Sequence, residues 1–132
     1  MKASSLSFLA AVIAAAAGMV WGLIMGISEN HATMPAHAHL NLLGWVSLFL
    51  IGIFYHLHPA LDQSRIALIQ VCVWIAGTVI LTLGVALLTS GIALGNPLAA
   101  AGSLIVLAAM LLFGWLVFQR DFFADSARAA AK

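Results

Sequence analysis

Residues 34–59, "MPAHAHLNLLGWVSLFLIGIFYHLHP", decide how the chain is read, because an apolar run is bracketed by His37 and His39 at one end and by His56 and His58 at the other. A stretch this oily buries its backbone bonds most simply as a helix. Its length approaches the roughly 20 apolar residues needed to cross a hydrocarbon core of about 30 Å. The question it raises is why imidazoles stand at both ends of a membrane span.

The rest of the chain repeats the apolar pattern without the histidines. Of 132 residues, 64% are hydrophobic and 7% are charged, far from the roughly 45–50% and about 25% of soluble domains. Four spans are expected, at about 6–27, 38–57, 66–88 and 97–118, with 119–132 as a tail. The fold class is therefore all-α: one integral membrane four-helix domain over 1–132, with no room within these residues for a soluble catalytic domain. The start, "MKASSLSFLAAVIAAAAG", has the flavour of a signal peptide, but its apolar run continues to Ile27, longer than a signal core of roughly 7–15 residues. A retained helix is expected.

Lys2, Arg65, Arg120, Arg128 and Lys132 all fall on the side that holds both termini and the middle turn. Under the positive-inside bias that side is cytoplasmic, and the turns at 28–36 and 89–96 face outward. The expected location is the bacterial inner membrane, in a multi-pass arrangement, with membrane lipid as the surrounding partner. A net charge of +1 argues against a nucleic-acid partner. Cys72 is expected as a small core residue.

Packing signals are plain. Gly18, Gly22 and Gly26, continued by Ala14 and Ala10, form a small-residue stripe in the first span, and Gly77, Gly84 and Gly91 recur at seven-residue spacing around the third. Such stripes let helices approach closely where the hydrophobic effect gives no help. Packing within one chain and an oligomer interface are both compatible with them. Asn96 and Pro97 read as the cap and first position of the fourth helix. Tyr55, Trp115, Phe122 and Phe123 read as a membrane-interface belt, and "DFFADSARAAAK" as a short interfacial helix.

The two histidine pairs are separate sites, since 17 steps between His39 and His56 span about 25 Å of helix. Neighbours two apart on an α-helix point about 200° apart, so a helical His-x-His cannot clamp one ion but can serve a site on each side. Alternatively the helix begins at His39, and His31, Met34 and His37 lie in a turn that wraps copper or zinc. Asn41 adds a polar group to the same turns, where polar groups in a span ordinarily face a partner. The chain alone is short of ligands: a two-ligand site needs both members of a pair, a methionine such as Met19, Met25 or Met110, or a second copy of the chain. His56 and His58, ahead of Pro59 and Asp62, read first as a solvated helix end and second as a metal or proton-relay site.

"HAHLNLLGWVSLFLIGIFYHLHP" resembles the second helix of proteins related to subunit I of the haem-copper oxidases, in particular the cytochrome-cbb type. The likeness covers about a quarter of the chain closely. The family's catalytic subunit holds twelve helices in three quasi-equivalent groups of four, and a His-x-His there ligates two different haems near the outer face. The resemblance therefore implies that three chains assemble as a twelve-helix homotrimer. His39 of one subunit and His37 of the next would be axial ligands of haem b, with Asn41 and Trp45 as further cofactor contacts. It implies electron transfer or redox and gas sensing. Oxygen reduction is not expected, because no copper site is visible and the one tyrosine, Tyr55, lies at the wrong end of the helix. The electron donor is not legible. The competing expectations are a copper or zinc protein built on His31, Met34, His37 and His39, and a passive scaffold.

Overall fold

The computed structural model describes residues 1–130, with side chains as far as Arg120. Five helices follow in order: α1 Ala3–Ser28, α2 Met34–Leu57, α3 Pro59–Asp62, α4 Arg65–Thr89 and α5 Gly95–Ala130. Four of them are long and apolar enough to cross a membrane, α5 doing so over Gly95–Arg120. The chain is thus a multi-pass, all-helical membrane protein, with no strand among the described residues.

Local chemistry explains the ends. Glu29 turns left-handed (φ 55°) and closes α1. Pro35 sits in the first turn of α2, where its missing N–H costs nothing. α2 stops at His58, whose φ of −124° and ψ of 75° lie outside the helical region that a following proline disfavours. Ser64 caps α4 by accepting from the Ala67 N–H at 3.2 Å. Beyond α4, Gly91 takes φ 79° in the turn and faces nothing within 4 Å, so it does not belong to the packing stripe of Gly77 and Gly84.

The helices form an open arc. α1 packs on α2, α2 on α4 and α4 on α5, and α1 also touches α4; α2 meets α5 through side chains at its C-terminal end, the Phe54 and Tyr55 rings standing 5.2 and 5.8 Å from that of Phe113. The tightest seam is α4 against α5. A side chain on Gly84 would strike the Ala99 backbone, and one on Gly102 the Leu81 backbone. On the other flank, Gly44 meets Ala14, and Gly52 meets Phe8 and Ser7. The small residues therefore serve packing within one chain, with close backbone approach supplying dispersion contact in a medium that gives no hydrophobic drive. Gly26, by contrast, touches nothing within 4 Å.

Buried polar links tie the arc together. The Tyr55 hydroxyl donates to Gln70 Oε1 at 2.9 Å, and Gln70 Nε2 donates to the Ala109 carbonyl at 3.2 Å, joining α2, α4 and α5. Tyr55 is fully buried, not part of an interface belt. At the same end Asp62 is buried rather than solvated: it accepts from the Ser4 N–H at 2.7 Å and the Ser4 hydroxyl at 2.9 Å. A carboxylate there satisfies an otherwise unpaired amide in the first turn of α1 and complements the positive end of its dipole.

Two other expectations need correction. Cys72 is exposed, since it lies on the outer face of α4. The tail does not begin a new helix: α5 runs on without a break to Ala130. Phe122 and Phe123 lie beyond the described side chains.

Candidate functional site: a two-sided histidine face on the second helix

α2 begins at Met34, so His37 is helical and does not belong to a wrapping turn. The two outer rings leave the helix on different sides. His37 points at α1, where its Nε2 lies 3.0 Å from the Gly18 carbonyl. His39 lines a groove of about 520 Å³ whose other walls include Leu43, Trp74, Leu81, Ser103 and Met110, from α2, α4 and α5. This groove is the gap left where the arc fails to close.

The hydrogen bonds assign the ring protons. A carbonyl can only accept, so the nitrogen facing it carries the hydrogen. In His39 that nitrogen is Nδ1, 2.7 Å from the Pro35 carbonyl one turn back, which leaves the lone pair on Nε2. Metal-ligating histidines use such a bond to orient the far nitrogen, and His58 makes the same bond to the Phe54 carbonyl at 2.6 Å. In His37 the assignment is reversed, with Nε2–H donating to Gly18. Ligation through that atom requires the ring to release the carbonyl.

Glycines on α1 make room for this face. A Cβ on Gly22 would stand 3.1 Å from His37 Nε2, and one on Gly18 would stand 2.5 Å from Asn41 Oδ1. Asn41 in turn donates from Nδ2 to the His37 carbonyl at 2.8 Å. Asn41 thus braces the His37 turn against α1. Trp45, expected beside the cofactor, is 46% exposed on the outer surface and does not line the groove; Trp74 does.

The backbone of this stretch departs from a regular α-helix. Residues Leu40–Ser47 are π-helical, directly after His39. A π turn bonds i to i+5 and accommodates one residue more than an α turn, which re-phases the two halves of α2 by about 100°. Two side-chain donors meet the widened turn: Trp74 Nε1–H on the Leu43 carbonyl at 3.0 Å, and Ser47 Oγ–H on the Leu42 carbonyl at 2.8 Å.

The remaining candidates are not brought to this site. His31 Nδ1 bonds the Glu29 carbonyl at 3.2 Å on the exposed turn, and Met34 is exposed. No three of His, Cys, Asp and Glu gather as a metal-binding group among the described residues, so His31, His37 and His39 do not form one cluster with Met34. Met25 accepts from the Thr33 hydroxyl at 3.7 Å, and Met19 faces outward. Gly44 lies opposite Thr78, and Gly102 opposite Leu81. His39 is therefore level with about residue 100 of α5, and Met110, some ten residues further along, lies about 15 Å deeper. Met110 shares the groove with His39 but cannot share a ligated atom with it.

At the far end, His56 is exposed. His58 is half-buried, its Nδ1–H donating to the Phe54 carbonyl at 2.6 Å and its ring 4.3 Å from that of Phe54. The two stand apart from the outer pair.

Trp74 and Gln70 were detectable in principle. Gln70, Trp74, Thr78 and Thr82 recur every fourth residue in an otherwise apolar span, and all are buried. That spacing marks the inward face of α4.

No family model, no curated protein and no solved structure matches the chain.

Proposed function

We propose that the chain is a haem b-binding protein of the bacterial inner membrane that resembles a repeat unit of haem-copper oxidase subunit I. Three copies form a ring, and each haem is held between subunits by His39 of one and His37 of the next. The observation that carries this reading is the two-sidedness of α2: His39 offers an Nε2 lone pair into an open groove, while His37 leaves on the opposite flank, toward α1. No other His, Cys, Asp or Glu among the described residues lines the groove with His39, and a groove left open by the arc is one that a neighbour's α1–α2 face can close.

The residues present fit the group. The groove walls are largely apolar, which suits a porphyrin, and the oriented imidazole suits iron. Haem iron supplies one-electron exchange when bound, and the protein's part is to hold, orient and exclude water. With His37 and His39 as the two residues that would hold it, the group would supply electron transfer or redox sensing rather than oxygen chemistry. All the described Lys and Arg side chains, Lys2, Arg65 and Arg120, belong to the end where α1 and α4 begin and α5 leaves the membrane segment. That end is assigned to the cytoplasm with both termini.

The test is a visible spectrum of the purified protein, with haemin titrated where the cofactor is not retained. A low-spin Soret spectrum is expected, lost in both His37→Ala and His39→Ala. A colourless protein that takes up no haemin overturns the reading.

A further inference from the structure

We infer that Trp74 is the positioning residue of this site, acting on His39 through the widened turn of α2. The inference rests on the haem reading for its consequence, but not for its geometry. The π-helical stretch starts at the residue after His39. Its extra residue sets the direction in which everything before it projects, and such turns persist only where something stabilises them; they are frequent at functional sites. Ser47 donates from within the turn and stiffens it, without tying it to a neighbouring helix. Trp74 donates from α4 across 31 residues of sequence, and so fixes the turn relative to the groove wall.

Three features make that bond specific. Leu43 and His39 are one helical turn apart on the same face of α2, and both line the groove with Trp74. Trp74 is fully buried, so water cannot replace its indole N–H at the Leu43 carbonyl. His39 is meanwhile tied to the backbone by its own Nδ1–H bond to Pro35. Rotation of the turn therefore carries the ring with it, and with the ring goes the direction of its Nε2. Trp74 touches the groove, but its positioning role is exerted through Leu43.

The experiment compares Trp74→Phe with Tyr55→Phe in the full chain in detergent. Tyr55→Phe is the control because it removes a buried bond between the same two helices, α2 and α4, away from the groove. Two readouts are taken at matched folded fraction: haemin titration with the Soret and ferric EPR spectra, and the ¹⁵N ring signals of His39 without haem. Trp74→Phe is expected to weaken haemin binding about tenfold or more, to alter both spectra and to shift the His39 ring signals. Tyr55→Phe is expected to leave all three unchanged. Ser47→Ala loosens the same turn and is expected to shift the His39 signals in the same sense, by less; it decides the matter should Trp74→Phe not fold. Unmoved His39 signals in the Trp74 or Ser47 variants overturn the inference, as do equal losses in the Trp74 and Tyr55 variants. Absence of haemin binding by the wild-type chain overturns the functional reading instead, and the His39 ring signals still decide the role of Trp74.

Discussion

A carbonyl faces Nδ1 in His39 and Nε2 in His37, and that difference of one ring atom separates a ring whose Nε2 lone pair is free from one whose Nε2–H is engaged. The His37 station exists because α1 presents glycine at 18 and 22, which yields a graded prediction. Alanine at 18 would drive its methyl into Asn41, whose amide is already committed to the His37 carbonyl, and should cost about 1–3 kcal/mol as overpacking. Alanine at 22 meets only the edge of an imidazole and should cost less; alanine at 26 meets nothing and should be neutral within about 0.5 kcal/mol. Thermal unfolding in detergent checks the order, and a Gly26 variant as damaging as the Gly18 one refutes the packing argument. At the opposite end, Asp62→Ala removes both acceptors from Ser4 and is expected to lower stability by about 1–3 kcal/mol. Asp62→Asn keeps one oxygen for the Ser4 amide and should lose less in the same melting assay.

The helices themselves were largely legible, because an unbroken apolar run of the right length has few other outcomes in a chain so poor in charge. What was not legible is rotation about the helix axis. The stretch 38–57 reads as one continuous α-helix, whereas Leu40–Ser47 is π-helical, and the side chain of α4 that reaches the widened turn and lines the groove is Trp74. Tyr55 and Cys72 were misplaced for a related reason: in a span that is apolar all round, hydrophobicity does not distinguish the face toward lipid from the face toward a neighbour. Asp62 was missed because its partner, Ser4, is distant in sequence. The His-x-His pair stood out at once, since polar groups in such a segment are rare; the hydrogen-bond partners that make its members unequal required three dimensions. Deletion of Val46, an outward-facing residue of the widened turn, tests the importance of phase directly. It should restore an ordinary α-helix and turn the histidine pair by about 100° relative to Tyr55. Circular dichroism should remain helical while haemin uptake is lost; uptake at the wild-type level would mean that the π turn does not aim the ligands.

At the scale of the whole molecule, the groove beside His39 is open and holds no other His, Cys, Asp or Glu among the described residues, so on the proposed reading the cofactor site is a property of two chains. Head-to-tail contacts of this kind close into a ring, and a ring of three has three equivalent interfaces. Complementation between inactive variants tests this. A His37→Ala chain still offers His39 to its neighbour, and a His39→Ala chain still offers His37. Each variant alone should bind no haem. In any trimer containing both, one interface in three places an intact His39 beside an intact His37, whichever variant is in the majority. With random mixing of equal amounts, three trimers in four are mixed, so co-expression should restore about one quarter of the wild-type haem content. The restored fraction is read from the Soret absorbance per chain after purification through a tag on only one variant, with correction for the resulting enrichment. If both ligands came from a single chain, every site would lack one of them and mixing would restore nothing. An isologous pairing of His39 with His39 would instead leave the His37→Ala protein fully loaded on its own.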